Sequence, residues 1–297
     1  MQVGILGTGL MGAPMALRLQ KSGFEVTAWN RSAEKLAPLE QAGIATVEQA
    51  QQAIATTDVT ITMLSDAAAI HSAILEDDPN GDLSVLKGRS LIQMGTIAPA
   101  QSRQLSDRIH SAGGEYLESP VLGSIPQVKD GTLILMVGAT PEQYEKWLPV
   151  LKCFGPDPQL MGPVGTAAAT KLAMNQLIGT LTAAFSMSLG LAQREGLNIE
   201  KFMAIVRDSA LYAPTFDKKL TRMCDRDFTN PNFPTKHLLK DMNLFVQAAE
   251  TQGIDPTVAA GVSEMAQKAI AQGLADEDYS AIYAAICEAS AESSKNA

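Results

Sequence analysis

At 297 residues the chain is long enough for two domains and a substantial core, and its 46% hydrophobic and 19% charged content is that of an ordinary globular protein. A net charge of -9 with no basic run argues against nucleic acid or an anionic membrane as a partner. Three widely spaced cysteines (Cys153, Cys224 and Cys287) show no metal-ligand rhythm, so no metal is expected. They read as reduced thiols of a cytoplasmic protein, and Met1 leads directly into a strand without a basic n-region or cleavage site.

In chain order, strands are expected over residues 2–6, 25–29, 59–64, 90–94, 115–118 and 132–137. Helices are expected over 11–22, 100–112 and 141–153, the last opened by Pro141 in its first turn. This alternation predicts an N-terminal Rossmann-type α/β domain, a doubly wound parallel sheet covered on both faces. Turn-forming Gly155-Pro156-Asp157-Pro158 and then Gly162-Pro163 mark a handover, so domains are expected over 1–163 and 164–297. Beyond residue 165 the β signal ends. Helices over 166–195, 199–209, 216–223, 236–252, 256–272 and 279–287 predict an all-α domain built on a long interdomain helix of about 45 Å. The small, polar tail after 289 is expected to fray.

The long helix is uncharged from 172 to 193, long enough for the ~20 residues of a membrane span. Asn175, Gln176, Thr180, Thr182, Ser186, Ser188 and Gln193 interrupt it, so burial between domains or subunits is the expectation. Phe185, Met187, Phe216 and Phe245 are expected in a core or an interface.

Gly7-x-Gly9-x-x-Gly12 follows the first strand and opens the first helix, the context in which such glycines permit a tight turn and close approach of a pyrophosphate. Leu10 and Met11 lie inside this loop and are counted with it. An acidic residue at the end of the second strand would accept from an adenosine ribose and repel a 2′-phosphate. Asn30-Arg31-Ser32 stands there instead: Asn30 is neutral, Arg31 offers a guanidinium and Ser32 a further donor, which predicts NADP in preference to NAD.

Between Pro158 and Gln193 the one charged residue is Lys171. An isolated ammonium in apolar surroundings is costly unless it is paired, exposed at a cleft or put to use. Asn175 lies one helical turn on, so the amine and the amide share a face and can address one carbonyl oxygen. Snorkelling of Lys171 to solvent is the structural alternative. Lys236, Lys240 and Asp241 form a charged cluster after Pro234, whereas His71, His110 and His237 are dispersed and enter no recognisable catalytic constellation.

The chain resembles the β-hydroxyacid dehydrogenases over nearly its whole length. Gly7-x-Gly9-x-Met11-Gly12-x-Pro14-Met15-Ala16 with Asn30-Arg31 is similar to that family's N-terminal signature. Ser119-Pro120-Val121-x-Gly123-Ser124 with Asp130-Gly131-Thr132-Leu133 resembles its substrate loop, and Gly162-x-x-Gly165 followed by Lys171-x-x-x-Asn175 its catalytic helix. Phe233-Pro234-x-Lys236-His237-x-x-Lys240-Asp241-Met242 looks most like the glyoxylate/succinic semialdehyde reductase branch. The resemblance implies an NAD(P)-binding domain, a helical domain that forms a homodimer or homotetramer, and reversible reduction of a small carboxylated carbonyl compound. It implies Lys171 as proton donor with Asn175 beside it, Ser119, Gly123 and Ser124 holding the substrate carboxylate, and Met63, Leu64, Thr96 and Lys240 contacting the cofactor.

Two places depart from the pattern. Leu122 stands where the family usually has serine, which removes a donor and adds apolar bulk in the substrate loop. Gln93-Met94-Gly95-Thr96 replaces the usual Asp-x-Ser-Thr, so Thr96 keeps its role and Gly95 is given none. Oxidation of 3-hydroxyisobutyrate or another β-hydroxy acid, imine reduction, and a binding module without turnover remain as alternative activities.

Overall fold

The computed structural model describes residues 1–76 and 83–287; the tail after 289 lies outside them. The chain divides into two compact units, Met1–Lys171 and Leu172–Ala297.

Among the described residues of the first unit, nine strands make one sheet: β1 (Gln2–Leu6), β2 (Glu25–Trp29), β3 (Ala45–Thr46), β4 (Val59–Thr62), β5 (Ser90–Gln93), β6 (Glu115–Glu118), β7 (Val121–Leu122), β8 (Ile134–Gly138) and β9 (Gln159–Gly162). Their order is β3-β2-β1-β4-β5-β6-β8-β7, with β9 beside β8. Every pair from β3 to β6 is parallel. Helices α1 (Gly12–Lys21), α2 (Ala37–Gln41), α3 (Ala50–Thr56), α4 (Ala67–His71), α5 (Pro99–Ser111), α6 (Ile125–Asp130) and α7 (Pro141–Leu151) join the strands. The order reverses between β1 and β4, and at such a switch point the diverging loops open a crevice at the carboxyl ends of the strands.

Alternation along the strands sorts the core onto two faces. Val3 and Ile5 of β1 pack with Met15 and Leu19 of α1 and Val150 of α7, while Leu6 packs on the other face with Ile54 of α3 and Leu105 and Ile109 of α5. The expected doubly wound sheet is present. It also has an antiparallel end, because only the six-residue α6 lies between β7 and β8, too short a connection for a parallel crossover. The two-residue β3 and β7 are too short to show a period. All of β9 except Gly162 is exposed, and it follows the Gly-Pro turn directly, so it reads as linker.

The 29-residue α8 (Thr166–Arg194) runs from the first unit into the second and serves there as the spine of a helical bundle. Phe185 and Leu189 pack with Met203 of α9 (Ile199–Asp208) and with Phe216 and Met223 of α10 (Pro214–Asp225). The rings of Phe185 and Phe216 stack 4.6 Å apart. Ala183 packs with Leu238 and Met242 of α11 (Thr235–Thr251) and with Val262 and Ala266 of α12 (Thr257–Ala271). The expected helix over 279–287 divides into a 3-10 turn, Tyr279–Ala281, and α13 (Ile282–Ile286), because the Asp278 carboxylate caps the Ser280 N–H at 3.1 Å. The start of α11 is tied down as well: the Thr235 N–H donates to the Glu277 carbonyl at 2.8 Å, and Pro234 bridges to Asp278.

Within the single chain α8 is not wholly covered. Met174, Leu177, Met187 and Leu191 remain exposed, Leu191 at 64%. Met187 therefore contributes to no core among the described residues. Among the described residues no helix is long and apolar enough to cross a membrane.

Candidate active site

The parallel strands leave the sheet at one edge, and backbone hydrogen bonds carry the ladder one residue past each exit. The Gly7 N–H donates to the Trp29 carbonyl (2.9 Å), Met63 to Leu6 (2.8 Å), Met94 to Thr62 (2.9 Å) and Ser119 to Gln93 (2.7 Å). The carboxyl edge of the first unit thus gathers the Gly7–Gly12 loop, Asn30 to Ser32, Met63 and Leu64, Thr96, and the Ser119–Ser124 segment. Met63, Leu64, Thr96 and Leu122 are each half-buried there.

The three glycines of the first loop answer different demands. A Cβ on Gly7 would strike the Met63 carbonyl oxygen, and one on Gly12 would overlap the Gly7 carbonyl oxygen, so both are required by the protein's own packing. At Gly9 nothing lies within 4 Å of such a Cβ and the residue is exposed beside Leu10. The protein itself leaves this space open, and a pyrophosphate against the loop at the start of α1 fits it. Asn30 has a structural task that sequence reasoning missed. Its Oδ1 accepts from the Thr8 N–H at 3.0 Å and its Nδ2 donates to the Ser32 carbonyl at 3.0 Å, so it braces the glycine loop against the end of β2. Arg31 is exposed next to it.

Gln93, which departs from the family pattern, closes its own loop: its Nε2 donates to the Gly95 carbonyl at 3.0 Å and its Oε1 accepts from the Gly95 N–H. In the Ser119–Ser124 segment, Ser119 is fully buried with no hydrogen-bond partner for its hydroxyl among the described residues. Leu122 pairs with Ile134 in the antiparallel β7–β8 ladder, which accounts for a strand-forming side chain there. Gly123 is exposed, and the N–H and Oγ of Ser124 both donate to Gln127 Oε1 at 2.9 Å, capping α6.

The first turn of α8 is held from the end of β6. Glu118, 1% exposed, accepts at Oε1 from the backbone N–H groups of Gly165 (2.8 Å), Ala167 (2.9 Å) and Ala168 (3.0 Å). Thr166 donates to the Pro163 carbonyl at 3.1 Å, and Ala169 begins the intrahelical ladder by donating to Gly165 at 3.0 Å. The normally orphaned donors of this helix start are therefore all engaged inside the protein, those on Glu118 by hydrogen bonds to a charged group of roughly 1.5–3 kcal/mol each. Glu118 Oε2 accepts from Ser102 Oγ, and Ser102 Oγ bonds Tyr116 OH at 2.8 Å. Burial pushes the Tyr116 phenol far up, with the Ser102 hydrogen bond opposing and the Glu118 charge adding to the rise. Lys171 follows on the next turn of α8, half-buried. Sequence reasoning gave Glu118 no role beyond its strand; the available signal was a carboxylate ending a strand at the carboxyl edge of the sheet.

In the second unit Asn175 of α8 is 3% exposed and donates through Nδ2 to Asp241 Oδ2 at 2.6 Å. The other Asp241 oxygen pairs with Lys240 Nζ at 2.9 Å. Asn175, Asp241 and Lys240 are thus one cluster joining α8 and α11. Burial lowers the His237 imidazole pKa, and the Lys240 charge lowers it further; the ring stacks on Phe233 with centroids 6.3 Å apart. Among the described residues no group of three or more His, Cys, Asp or Glu side chains could hold a metal ion.

A doubly wound sheet with a glycine loop at its switch point, followed by a helical bundle, defines a dinucleotide-binding oxidoreductase class. Residues 2–165 match the model of the NAD-binding domain of 6-phosphogluconate dehydrogenase, and residues 165–286 that of the NAD-binding region of NADP-dependent 3-hydroxyisobutyrate dehydrogenase. The chain is 34% identical over 287 residues to glyoxylate/succinic semialdehyde reductase 1 of Arabidopsis thaliana, covering 96% of this chain and 98% of that protein. It is 35% identical over 286 residues to the chloroplastic reductase 2 of the same organism, covering 96% of this chain and 79% of that protein. The crystal structure of a 3-hydroxyisobutyrate dehydrogenase from Salmonella typhimurium shares the fold, with a TM-score of 0.83 at 21% identity over 95% of this chain and 98% of that one. The chain belongs to the β-hydroxyacid dehydrogenase family, a group of NAD(P)-dependent dehydrogenases and reductases.

The glycine geometry separates folding from binding. Gly12→Ala should lower the thermal midpoint of the free protein, whereas Gly9→Ala should leave it within a degree or two while weakening dinucleotide binding by tenfold or more. Thermal melts of both variants, with titration of NADPH by fluorescence, check the pair.

Proposed function

We propose that the chain is an NADPH-dependent reductase of small carboxylated aldehydes or keto acids, such as glyoxylate and succinic semialdehyde, with Lys171 as proton donor. The observation that carries this reading is Lys171 itself, the one charge between Pro158 and Gln193, set next to a helix start that is anchored to the cofactor-type rim. The similarity to the two Arabidopsis reductases over 96% of the chain supports the substrate class. The match to the 3-hydroxyisobutyrate dehydrogenase model favours a second reading, oxidation of a β-hydroxy acid at the same site.

A bound nicotinamide supplies the hydride. The residues supply the rest. Negative charge gathers on the carbonyl oxygen during reduction, and the Lys171 ammonium stabilises that charge and then gives up its proton to the oxygen. Asn175 is oriented by Asp241, one helical turn from Lys171, so its amide is fixed on the shared face. Exposed Gly123 offers its backbone N–H to the substrate carboxylate and Leu122 gives the segment an apolar contact, while Ser124 beside it spends both its donors on Gln127 and the Ser119 hydroxyl lies buried behind them. Met63, Leu64, Thr96 and Lys240 would contact the cofactor, and Leu10 and Met11 with Gly7, Gly9 and Gly12 would hold the pyrophosphate. Arg31 and Ser32 would receive the 2′-phosphate, beside Asn30, which braces the loop.

We also infer that the chain works as a homodimer or homotetramer. Met174, Leu177, Met187 and Leu191 form an apolar stripe along α8, which a second copy would cover. Light scattering at micromolar concentration should give at least twice the chain mass, and a stable monomer would remove this part of the reading.

Lys171→Ala should lower kcat for glyoxylate or succinic semialdehyde by about a thousandfold while NADPH still binds. Steady-state rates at 340 nm and a fluorescence titration check it, and a near-normal rate would leave the mechanism without its acid. Arg31→Ala should raise KM for NADPH about tenfold and leave KM for NADH unchanged. Wild-type turnover with NADH equal to or better than with NADPH would overturn the cofactor assignment.

A further inference from the structure

The carboxylate of Glu118 is engaged on both oxygens by donors alone: three backbone N–H groups of the α8 start at one oxygen and the Ser102 hydroxyl at the other. It is 1% exposed, and it comes from a different element, β6, 47 to 50 residues away in the chain. Gly138, its partner across the β6–β8 ladder, has no room for a Cβ, because that atom would press into the Glu118 carboxylate. Ser102 is itself 0% exposed and bonded to the buried Tyr116 hydroxyl. The site is thus built to hold one carboxylate in one place. Its effect is to lock the first turn of α8 to the end of β6, one residue before Ser119.

Lys171 stands five residues into α8, about 7.5 Å along the axis at 1.5 Å per residue. Side chains on a helix lean toward its N-terminus, so the lysine stem rises over the turn that Glu118 secures. A helix start held only by water frays and would move the ammonium with it. The dinucleotide loop has separate tethers, Gly7 to Trp29 and Thr8 to Asn30, which Glu118 does not touch.

We propose that Glu118 is a positioning residue for the reaction: it fixes the α8 start to the β6 rim and so sets where Lys171 presents its proton. The proposal rests on the assignment of Lys171 as proton donor. Its action falls on turnover rather than on cofactor affinity, since the two sets of tethers are independent.

The test compares Glu118→Gln, Glu118→Asp, Lys171→Ala and the double variant Glu118→Gln/Lys171→Ala in the full chain, with NADPH and glyoxylate. Glu118→Gln keeps the shape of the side chain but presents an NH2 to donors. It should lower kcat by tenfold to a hundredfold with KM for NADPH within about twofold of wild type. Glu118→Asp, which keeps the charge on a shorter stem, should recover at least a third of the lost factor on a logarithmic scale. In the Lys171→Ala background the Gln substitution should cost less than threefold, because the group it positions is gone. A double variant that loses the full Glu118→Gln factor again means that Glu118 acts independently of Lys171 and overturns the proposal, as does a rise in KM for NADPH matching the fall in kcat. Normal turnover in Lys171→Ala alone is a different outcome: it removes the proton-donor assignment, and the proposal falls with it. If Glu118→Gln does not accumulate as a folded protein, Glu118→Asp carries the test in both backgrounds, with the same requirement that its cost in kcat vanish without Lys171.

Discussion

Parallel strands end together, and most of this molecule's first unit follows from that constraint. Each of β1, β2, β4, β5 and β6 spends its ladder hydrogen bonds inside the sheet and releases its chain at the same edge. Residues far apart in sequence, such as Gly7, Asn30, Met63, Thr96 and Ser119, therefore reach one rim without any contact among their side chains having to arrange it. The rim must then satisfy the backbone groups it exposes, and it does so locally. Asn30 takes the Thr8 N–H, Gln93 takes the Gly95 N–H, and Glu118 takes three N–H groups of the helix start. Each of these side chains stands at or just past the end of a strand.

The same constraint explains what could be read from the sequence. Strands 2–6, 25–29 and 115–118 were legible to the residue, because each is a short β-rich segment set between helical patterns and turn signals, the spacing of a sheet covered on both faces. The long helix and the family motifs were legible for a similar reason, since each is a local pattern. β3 and β7 were not, having two residues apiece, and neither was β9, a four-residue strand that lies exposed and shows no alternation of buried and exposed positions. The antiparallel run of β8 depends on the length of a connection whose helix, α6, was itself not recognised.

Within the candidate site, local motifs identified residue types but not their partners. The Gly7-x-Gly9-x-x-Gly12 pattern does not distinguish the two glycines that packing demands from the one that it leaves open. Asn30 was read as the absence of a negative charge, whereas its amide carries two hydrogen bonds that shape the loop. Asn175 and Lys171 were recognised as neighbours on one helix face. That Asp241 would orient Asn175 from α11, 66 residues away, is a tertiary fact with no periodic signature. Glu118 is the extreme case: its partners at α8 are backbone groups, which no side-chain motif can announce.

The account comes down to the position of one amine when both ligands are present. A crystal structure of the protein with NADP and a product hydroxy acid measures it directly. The account predicts the Lys171 ε-nitrogen within about 3 Å of the acid's hydroxyl oxygen, with the pyrophosphate on the Gly7–Gly12 loop. An ε-nitrogen turned into bulk water, away from the bound acid, would contradict it.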